Sequence, residues 1–284
     1  MSTSALAIRE WGPLDAPNIV FLHGLGVIGP RATDEPAEAW AALGFRVLAP
    51  DLPGFGGSKA VSREDYLPSR LARLLVGELP ERFALVGFSW GGTIGSHLTA
   101  LEPDRVTALV LVDVGYSAPK PDPPSYDQLL DDARAELGAS RFPDADAFLE
   151  YARPHFPLRL SDEALLGSMR EIADELVPEL TPEVVAAGLR GYHEEPPVLV
   201  HEVLRDAAIP ILLLVAGKPP NPRRDAEVVA FQRALPTAEI LRFPAAGHNV
   251  LLDAADEAVP AVGEWLAQRA TRRAAGNLDG GAGV

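Results

Sequence analysis

The chain has 284 residues, 47% of them hydrophobic, a formal net charge of −15 and no cysteine. This length allows one large domain with an insertion, and the hydrophobic content is ample for a core. The lack of cysteine excludes disulfides, thiolate metal sites and a cysteine nucleophile, and the negative charge disfavours nucleic acid and anionic membranes as partners.

The N-terminal segment has neither a basic start nor a long apolar run, which argues against a secretory signal. No stretch of the sequence approaches the roughly 20 uninterrupted apolar residues that a membrane span requires. We therefore expect a cytoplasmic protein that acts on a small-molecule substrate, with no nucleic-acid or membrane partner. Its oligomeric state cannot be deduced from the sequence.

Six short apolar runs, each followed by a turn or a polar loop, predict buried parallel strands. In chain order they are Asn18–Leu22, Phe45–Ala49, Phe83–Val86, Ala108–Val112, Ile211–Val215 and Glu239–Phe243. Helical patterns fill most of the intervals, and residues 5–11 predict an additional antiparallel strand at the start. This alternation predicts an α/β fold, a doubly wound and mostly parallel sheet with helices on both faces.

The long interval between the fourth and fifth of these strands breaks the rhythm. It contains no convincing strand but four helical patterns, Tyr126–Leu137, Asp144–Tyr151, Asp162–Leu176 and Pro182–Leu189. Ser161 and Thr181 precede two of them as capping hydroxyl residues. We therefore predict an α-helical cap over 116–206, a core made of 1–115 and 207–273, and a disordered, glycine-rich tail over 274–284.

The predicted cap is strongly acidic. Residues 116–206 contain 8 Lys and Arg against 19 Asp and Glu, a net charge of −11 out of the total of −15. An acidic segment is usually a solvated surface. The alternative is an entrance that attracts cations or repels anions.

A Gly-x-Ser-x-Gly motif, Gly87-Phe88-Ser89-Trp90-Gly91, follows directly on the third predicted strand. Such a motif after a buried strand is typical of a nucleophile elbow, in which a serine occupies a strained turn between strand and helix. Both glycines are expected because a Cβ at either position would clash in the turn. The turn holds the Ser89 hydroxyl in the open, beside the N–H groups of a helix N-terminus.

Further polar groups come where predicted strands end, which is where functional groups gather in this kind of sheet. They are His23 with Gly24-Leu25-Gly26, then Asp51, Asp113, and His248 in the loop after the last strand. A nucleophilic serine needs a base, which is usually a histidine, and hydrogen-bond donors for the developing oxyanion. The strand ends offer both.

With these motifs in this order, the chain resembles the α/β-hydrolase superfamily over nearly its whole length. The resemblance rests on His23-Gly24-Leu25-Gly26, on Asp51 to Ser58, on Gly87 to Gly92 and on Gly247-His248. It implies that Ser89 is the nucleophile, that His248 is the base, and that the backbone N–H groups of Leu25 and Trp90 form the oxyanion hole. It also implies that the insertion is a cap domain that shapes the substrate pocket, and that His23 shapes the oxyanion loop.

The chain departs from this family at the acid of the triad. Members usually place an aspartate three residues after the glycine that corresponds to Gly217, and here that position is Pro220. Asp113 ends the strand after the elbow helix, which is the alternative acid position in some hydrolases, and a carboxylate there can hold the tautomer of a histidine. Asp113 is the predicted acid. Asp225, in the first turn of the next predicted helix, and a site with no strong acid are the alternatives.

The predicted function is hydrolysis of an ester or similar acyl bond of a small molecule through an acyl-enzyme, without a cofactor. One alternative is a proline-iminopeptidase-like aminopeptidase, since Trp90 follows the nucleophile as in that group and an acidic cap can hold an ammonium. Carbon–carbon bond hydrolysis would use the same triad, whereas a serine nucleophile disfavours haloalkane dehalogenation. The missing usual acid motivates a third alternative, a ligand-binding protein with little catalysis. The few histidines lack metal-ligand spacing and predict no metal site.

Overall fold

The computed structural model describes residues 6–155 and 160–279. Within these ranges the strands are β1 (Ile8–Trp11), β2 (Asn18–Leu22), β3 (Arg46–Pro50), β4 (Phe83–Phe88), β5 (Val106–Val112), β6 (Met169–Ile172), β7 (Glu175–Pro178), β8 (Ile211–Ala216) and β9 (Glu239–Phe243). Seven of them form one sheet in the order β1-β3-β2-β4-β5-β8-β9. Strand β1 is antiparallel to β3 and the other pairs are parallel, which confirms the predicted mostly parallel sheet.

Helices fill the connections between the strands of this sheet. Outside the interval between β5 and β8 the helices are α1 (Asp34–Ala42), α2 (Pro68–Val76), α3 (Trp90–Leu101), α9 (Pro222–Ala234), α10 (Val250–Asp253) and α11 (Ala255–Asp279). Between β5 and β8 the chain forms α4 (Tyr126–Ala139), α5 (Ala145–His155), α6 (Asp162–Leu166), α7 (Pro182–Glu194) and α8 (His201–Asp206). Short 3-10 helices occupy Arg31–Thr33, Arg63–Tyr66 and Pro197–Val200.

Both faces of the sheet are buried, because alternate residues of each central strand point to opposite sides. On β2, Val20 and Leu22 face the apolar layer that includes α2, α3 and α9, while Ile19 and Phe21 face α1, α10 and α11. None of these four side chains is more than 2% exposed. Burial on both faces is the reason that the strands are continuous apolar runs in the sequence, and it confirms the doubly wound α/β class.

The prediction of a helix over Asp162–Leu176 is wrong beyond Leu166. Helix α6 ends there, and β6 pairs with β7 as an antiparallel hairpin in which Ile172 lies opposite Glu175. Ala173 and Asp174 connect the two strands with φ values of 51° and 62°, the left-handed pair that a tight hairpin turn requires. The insertion therefore contains a small sheet as well as helices.

The predicted caps of two insertion helices are confirmed. The Ser161 hydroxyl accepts the Ala164 N–H at 3.1 Å at the start of α6. The Thr181 hydroxyl accepts the Val184 N–H at 3.4 Å at the start of α7. Helix α7 then packs on the loops that follow β2 and β3. The division of the chain into a cap domain over 116–206 and a core stays a prediction.

Helix α11 continues to Asp279 and so overlaps the first part of the tail predicted over 274–284. Residues 280–284 lie outside the described ranges, and the disorder of the tail stays a prediction. In residues 6–155 and 160–279, no helix combines the length and the apolar character needed to cross a membrane. The cytoplasmic location stays a prediction as well.

Candidate active site

Ser89 lies between β4 and α3, with φ 51° and ψ −119°, a backbone conformation that is strained for a residue with a side chain. A Cβ on Gly87 would overlap the backbone of Gly92, and a Cβ on Gly91 would overlap the carbonyl oxygen of Leu22. The two glycines thus allow β4 to turn into α3 within one residue, as the motif predicts. The serine is left half-buried at the start of α3.

His248 lies in the loop between β9 and α10, where its ring packs beside Phe88 with the centroids 5.0 Å apart. Its Nε2 is 2.9 Å from Ser89 Oγ, and its Nδ1 is 2.7 Å from Asp113 Oδ2. A carboxylate at Nδ1 holds the proton on that nitrogen, which leaves Nε2 to accept the proton of the serine hydroxyl. The histidine side chain is 58% exposed and faces the open side of the site.

Asp113 follows the last residue of β5 and is bound on all sides. Its Oδ2 contacts His248, and its Oδ1 accepts the Tyr116 hydroxyl at 2.7 Å and the Ala216 N–H at 3.0 Å. The carboxylate side chain is only 5% exposed. Burial raises the pKa of Asp113, but the hydrogen bonds from His248, Tyr116 and Ala216 outweigh it and hold the pKa below its usual value. Asp113 is therefore a carboxylate at neutral pH.

Tyr116 was not anticipated from the sequence as part of this site. It is buried, and burial and the adjacent Asp113 carboxylate raise the pKa of its hydroxyl far above the usual value. The hydroxyl is therefore a permanent hydrogen-bond donor to Asp113. Its position three residues after the acid is the signal that the sequence offered.

The other acid considered from the sequence lies elsewhere. Asp225 is in the first turn of α9, is 62% exposed, and pairs with Arg242 at 3.4 Å. The carboxylate that contacts His248 is that of Asp113. The structure thus brings together the serine, the histidine and the aspartate that the sequence analysis favoured.

The two predicted oxyanion donors belong to residues near Ser89. Trp90 is the first residue of α3, where N–H groups have no partner within the helix. Leu25 lies in the loop after β2, next to Gly24, where a Cβ would be 3.4 Å from the Ser89 Cβ. Within residues 6–155 and 160–279, neither N–H group is donated to a backbone carbonyl. The role of these two N–H groups as the oxyanion hole stays a prediction.

His23 fixes the loop that carries Leu25. Its Nδ1 is 2.8 Å from the carbonyl oxygen of Gly24, and its Nε2 accepts the Leu52 N–H at 3.0 Å. The first bond requires a proton on Nδ1 and the second requires a bare Nε2, so the ring is neutral. Burial accordingly lowers the pKa of His23 to about 3. The ring ties the loop after β2 to the loop after β3.

A cavity of about 330 Å³ opens beside Ser89 and His248. Its wall is mostly apolar and consists of Gly24, Leu25, Gly26, Ile28, Gly29, Ala32, Phe88, Asn249, Leu252 and Asp253. Ala32 and Leu252 also belong to an apolar cluster with Phe148, Leu165 and Met169 of the insertion. The carboxylate of Asp253 accepts the Gly247 N–H at 2.8 Å. Because Ala32 and Leu252 pack against side chains of the insertion, the insertion supports the part of the pocket wall that these two residues form.

No group of three or more potential metal ligands occurs among the described residues. The residues at this site are a serine, a histidine, a carboxylate and backbone N–H donors, which are the components of nucleophilic acyl transfer.

The family follows from a direct comparison. The model of the alpha/beta hydrolase family matches residues 19–261, and the chain belongs to this family.

Relatives and solved structures agree with this assignment. The chain is 29% identical over 266 residues to the pimeloyl-(acyl-carrier protein) methyl ester esterase of Chromobacterium violaceum, covering 89% of this chain and 96% of that protein. It is 33% identical over 170 residues to an esterase of Mycobacterium tuberculosis, covering 55% of this chain and 53% of that protein. The crystal structure of E-2-(acetamidomethylene)succinate hydrolase has the same fold, with a TM-score of 0.74, 21% identity, and coverage of 92% of this chain and 94% of that chain.

The extent of the matches differs among relatives. The chain matches 36% of the length of the pimeloyl-(acyl-carrier protein) methyl ester esterase of Pseudoalteromonas atlantica and 53% of the Mycobacterium tuberculosis esterase. It thus spans about a third to a half of several curated relatives.

Proposed function

We propose that this protein is a serine hydrolase that cleaves an ester, or a similar acyl bond, of a small molecule through an acyl-enzyme. The observation that carries the proposal is the hydrogen-bonded line from Ser89 Oγ to His248 at 2.9 Å and from His248 to Asp113 at 2.7 Å. The esterase names of the relatives support the same reaction class.

In the first half-reaction Ser89 Oγ attacks the carbonyl carbon of the substrate. Its proton passes to His248 Nε2, and the imidazolium that forms is stabilised by the Asp113 carboxylate. The electron pair of the carbonyl bond moves to the oxygen, which accepts hydrogen bonds from the N–H groups of Leu25 and Trp90. The bond to the leaving group then breaks, and the leaving oxygen takes the proton from His248.

In the second half-reaction a water molecule replaces the alcohol. His248 accepts a proton from this water as it attacks the acyl carbon, and the same two N–H groups hold the oxyanion. When the bond to Ser89 Oγ breaks, His248 returns the proton to the serine. The products are a carboxylic acid and an alcohol, and the enzyme is regenerated.

The surroundings of the site favour a small, apolar and uncharged substrate. The cavity beside Ser89 is walled by side chains such as Ile28, Ala32 and Leu252 and is near the lower limit of the usual pocket volume, about 300 Å³. The insertion over 116–206 carries a net charge of −11, which repels anionic substrates and partners. We therefore do not propose the acyl-carrier protein ester, for which several relatives are named, as the substrate of this protein.

The test is turnover of p-nitrophenyl esters by the purified chain and by Ser89→Ala. We expect hydrolysis of short-chain esters by the wild type and a loss of about 10⁴-fold or more in the variant. Faster cleavage of proline naphthylamide than of the esters would replace the proposal with an aminopeptidase. Absence of turnover on a broad ester panel would favour a binding protein and would overturn the proposal.

A further inference from the structure

Helix α7 of the insertion touches both residues whose N–H groups form the proposed oxyanion hole. The point of contact is Gly188, which is buried in the middle of the helix. A Cβ at this position would lie 2.9 and 3.0 Å from the two Cδ atoms of Leu25 and 3.4 Å from Cε2 of Trp90. A single position without a side chain thus borders the side chains of both residues.

The rest of the same helix face holds α7 close to the core. Val184 and Gly191 lie one turn before and one turn after Gly188, on the same side of the helix. A Cβ on Gly54, in the loop after β3, would be 2.7 Å from Val184, and a Cβ on Gly191 would overlap the carbonyl of Tyr66. Because α7 is seated against the core on both sides of Gly188, it cannot retreat locally to make room for a side chain there.

Of the two side chains next to Gly188, that of Leu25 can move and that of Trp90 cannot. The Trp90 ring is 2% exposed and is held between the rings of Phe55 and Tyr66, with centroid distances of 6.0 and 6.3 Å. Leu25 is only half-buried and lies in a loop. A side chain at position 188 would therefore push the Leu25 side chain away from α7 and remove the contact by which the helix holds this residue in its loop.

We propose that Gly188 is a positioning residue for the oxyanion hole. Its lack of a side chain lets α7 support Leu25 at the place from which the Leu25 N–H reaches the carbonyl oxygen of the substrate. The inference rests on the proposed function, because it assigns Gly188 a role only in stabilising the oxyanion of acyl transfer.

The experiment is a double-mutant cycle on the hydrolysis of a p-nitrophenyl ester with Gly188→Ala, Leu25→Ala and the double variant. We expect Gly188→Ala to lower kcat by about tenfold or more with KM changed by less than about threefold, since the displaced donor acts in the transition state. In the Leu25→Ala background the same substitution should change kcat by less than about twofold, because the side chain that the new methyl group meets is gone.

Gly138→Ala in α4 is the matched control. This glycine is also in a helix of the insertion, and a Cβ there would meet nothing within 4 Å. Its kcat should equal that of the wild type. Thermal unfolding of each variant shows whether it is folded, and alanine favours the helix over glycine at both positions.

Three results overturn the inference while the proposed function stands. They are an unchanged kcat in Gly188→Ala, a rise in KM without a fall in kcat, and an equal loss of kcat in the Leu25→Ala background. If Gly188→Ala alone does not fold, the double variant compared with Leu25→Ala decides: equal kcat values support the inference and a further tenfold loss overturns it. A wild type without hydrolysis overturns the proposed function and this inference together.

Discussion

The hydroxyl of Tyr116 donates a hydrogen bond of 2.7 Å to Oδ1 of Asp113, the oxygen that does not face His248. Together with the Ala216 N–H at 3.0 Å, it fixes the carboxylate so that Oδ2 points at the histidine. The residue in the acid position therefore comes at the end of β5. The position where this family usually has its aspartate is occupied here by Pro220. The neighbouring strand β8 contributes a backbone donor in place of a carboxylate.

Replacing Asp113 by asparagine should reduce kcat by about 10⁴-fold, because an amide no longer holds the required tautomer of the histidine. Asp225→Asn is the matched control, since that carboxylate is exposed and pairs with Arg242. It should leave kcat unchanged. The measurement is steady-state hydrolysis of a p-nitrophenyl ester. A large loss in Asp225→Asn with little loss in Asp113→Asn would refute the assignment of the acid.

Replacing Tyr116 by phenylalanine should lower kcat by up to about tenfold, since it removes one hydrogen bond to a charged group. The Tyr116 hydroxyl stabilises the ionised form of Asp113 and so helps to lower its pKa. Without it the pKa of Asp113 rises, and the loss of kcat/KM that follows from protonation of this carboxylate begins at a higher pH. Tyr192→Phe removes a neighbouring hydroxyl that bonds Ser117 at 2.6 Å and serves as the control. An identical shift in both variants would contradict the role of Tyr116.

Replacing Ala32 by leucine should shorten the range of substrates. Ala32 is 6% exposed and belongs both to the wall of the cavity and to the apolar cluster of the insertion. The larger side chain takes volume from the pocket. Turnover of hexanoate esters should therefore fall by about tenfold or more, while turnover of acetate esters should stay as in the wild type. Ala42→Leu, at the exposed end of α1, should leave the chain-length profile unchanged. A parallel loss on all esters would show that Ala32 does not line the substrate site.

Acidification should begin to destabilise the fold at pH values well above those at which carboxylates titrate. Burial lowers the pKa values of His23, His97 and His201, with that of His23 at about 3. Below the usual histidine pKa of about 6.5 the unfolded chain therefore binds more protons than the folded one, and the free energy of unfolding falls as the pH decreases. Urea unfolding at pH 7 and pH 5 measures this slope. His23→Gln should be less stable at pH 7 but less sensitive to pH, and an unaltered slope would contradict the neutral buried ring.

The parts of the fold that the sequence predicts are those with strong local signals. The central strands of the large sheet are buried on both faces, so they contain apolar runs such as Ile211–Val215. The hairpin of the insertion lacks such a signal, because Ala173 and Asp174 form a left-handed turn without the usual asparagine or glycine. A helical pattern therefore extended through a segment that folds as two strands.

The residues of the site also differ in how well the sequence predicts them. Ser89 and His248 follow from motifs at strand ends, and Asp113 from its place after β5. The hydrogen bond from Tyr116 and the contact of Gly188 with Leu25 depend on side-chain direction and on the packing of α7. For Tyr116 the sequence offers only its spacing of three residues from Asp113. The contact of Gly188 with Leu25 joins distant segments through the tertiary fold and leaves no pattern in the sequence.

Covalent labelling of Ser89 tests the central claim most directly. The folded protein is treated with a fluorophosphonate probe, digested, and mapped by mass spectrometry, with Ser89→Ala and the urea-unfolded wild type as controls. The geometry of Ser89, His248 and Asp113 predicts stoichiometric modification of Ser89 in the folded wild type and none in either control. A folded, pure protein whose Ser89 stays unmodified would contradict the account.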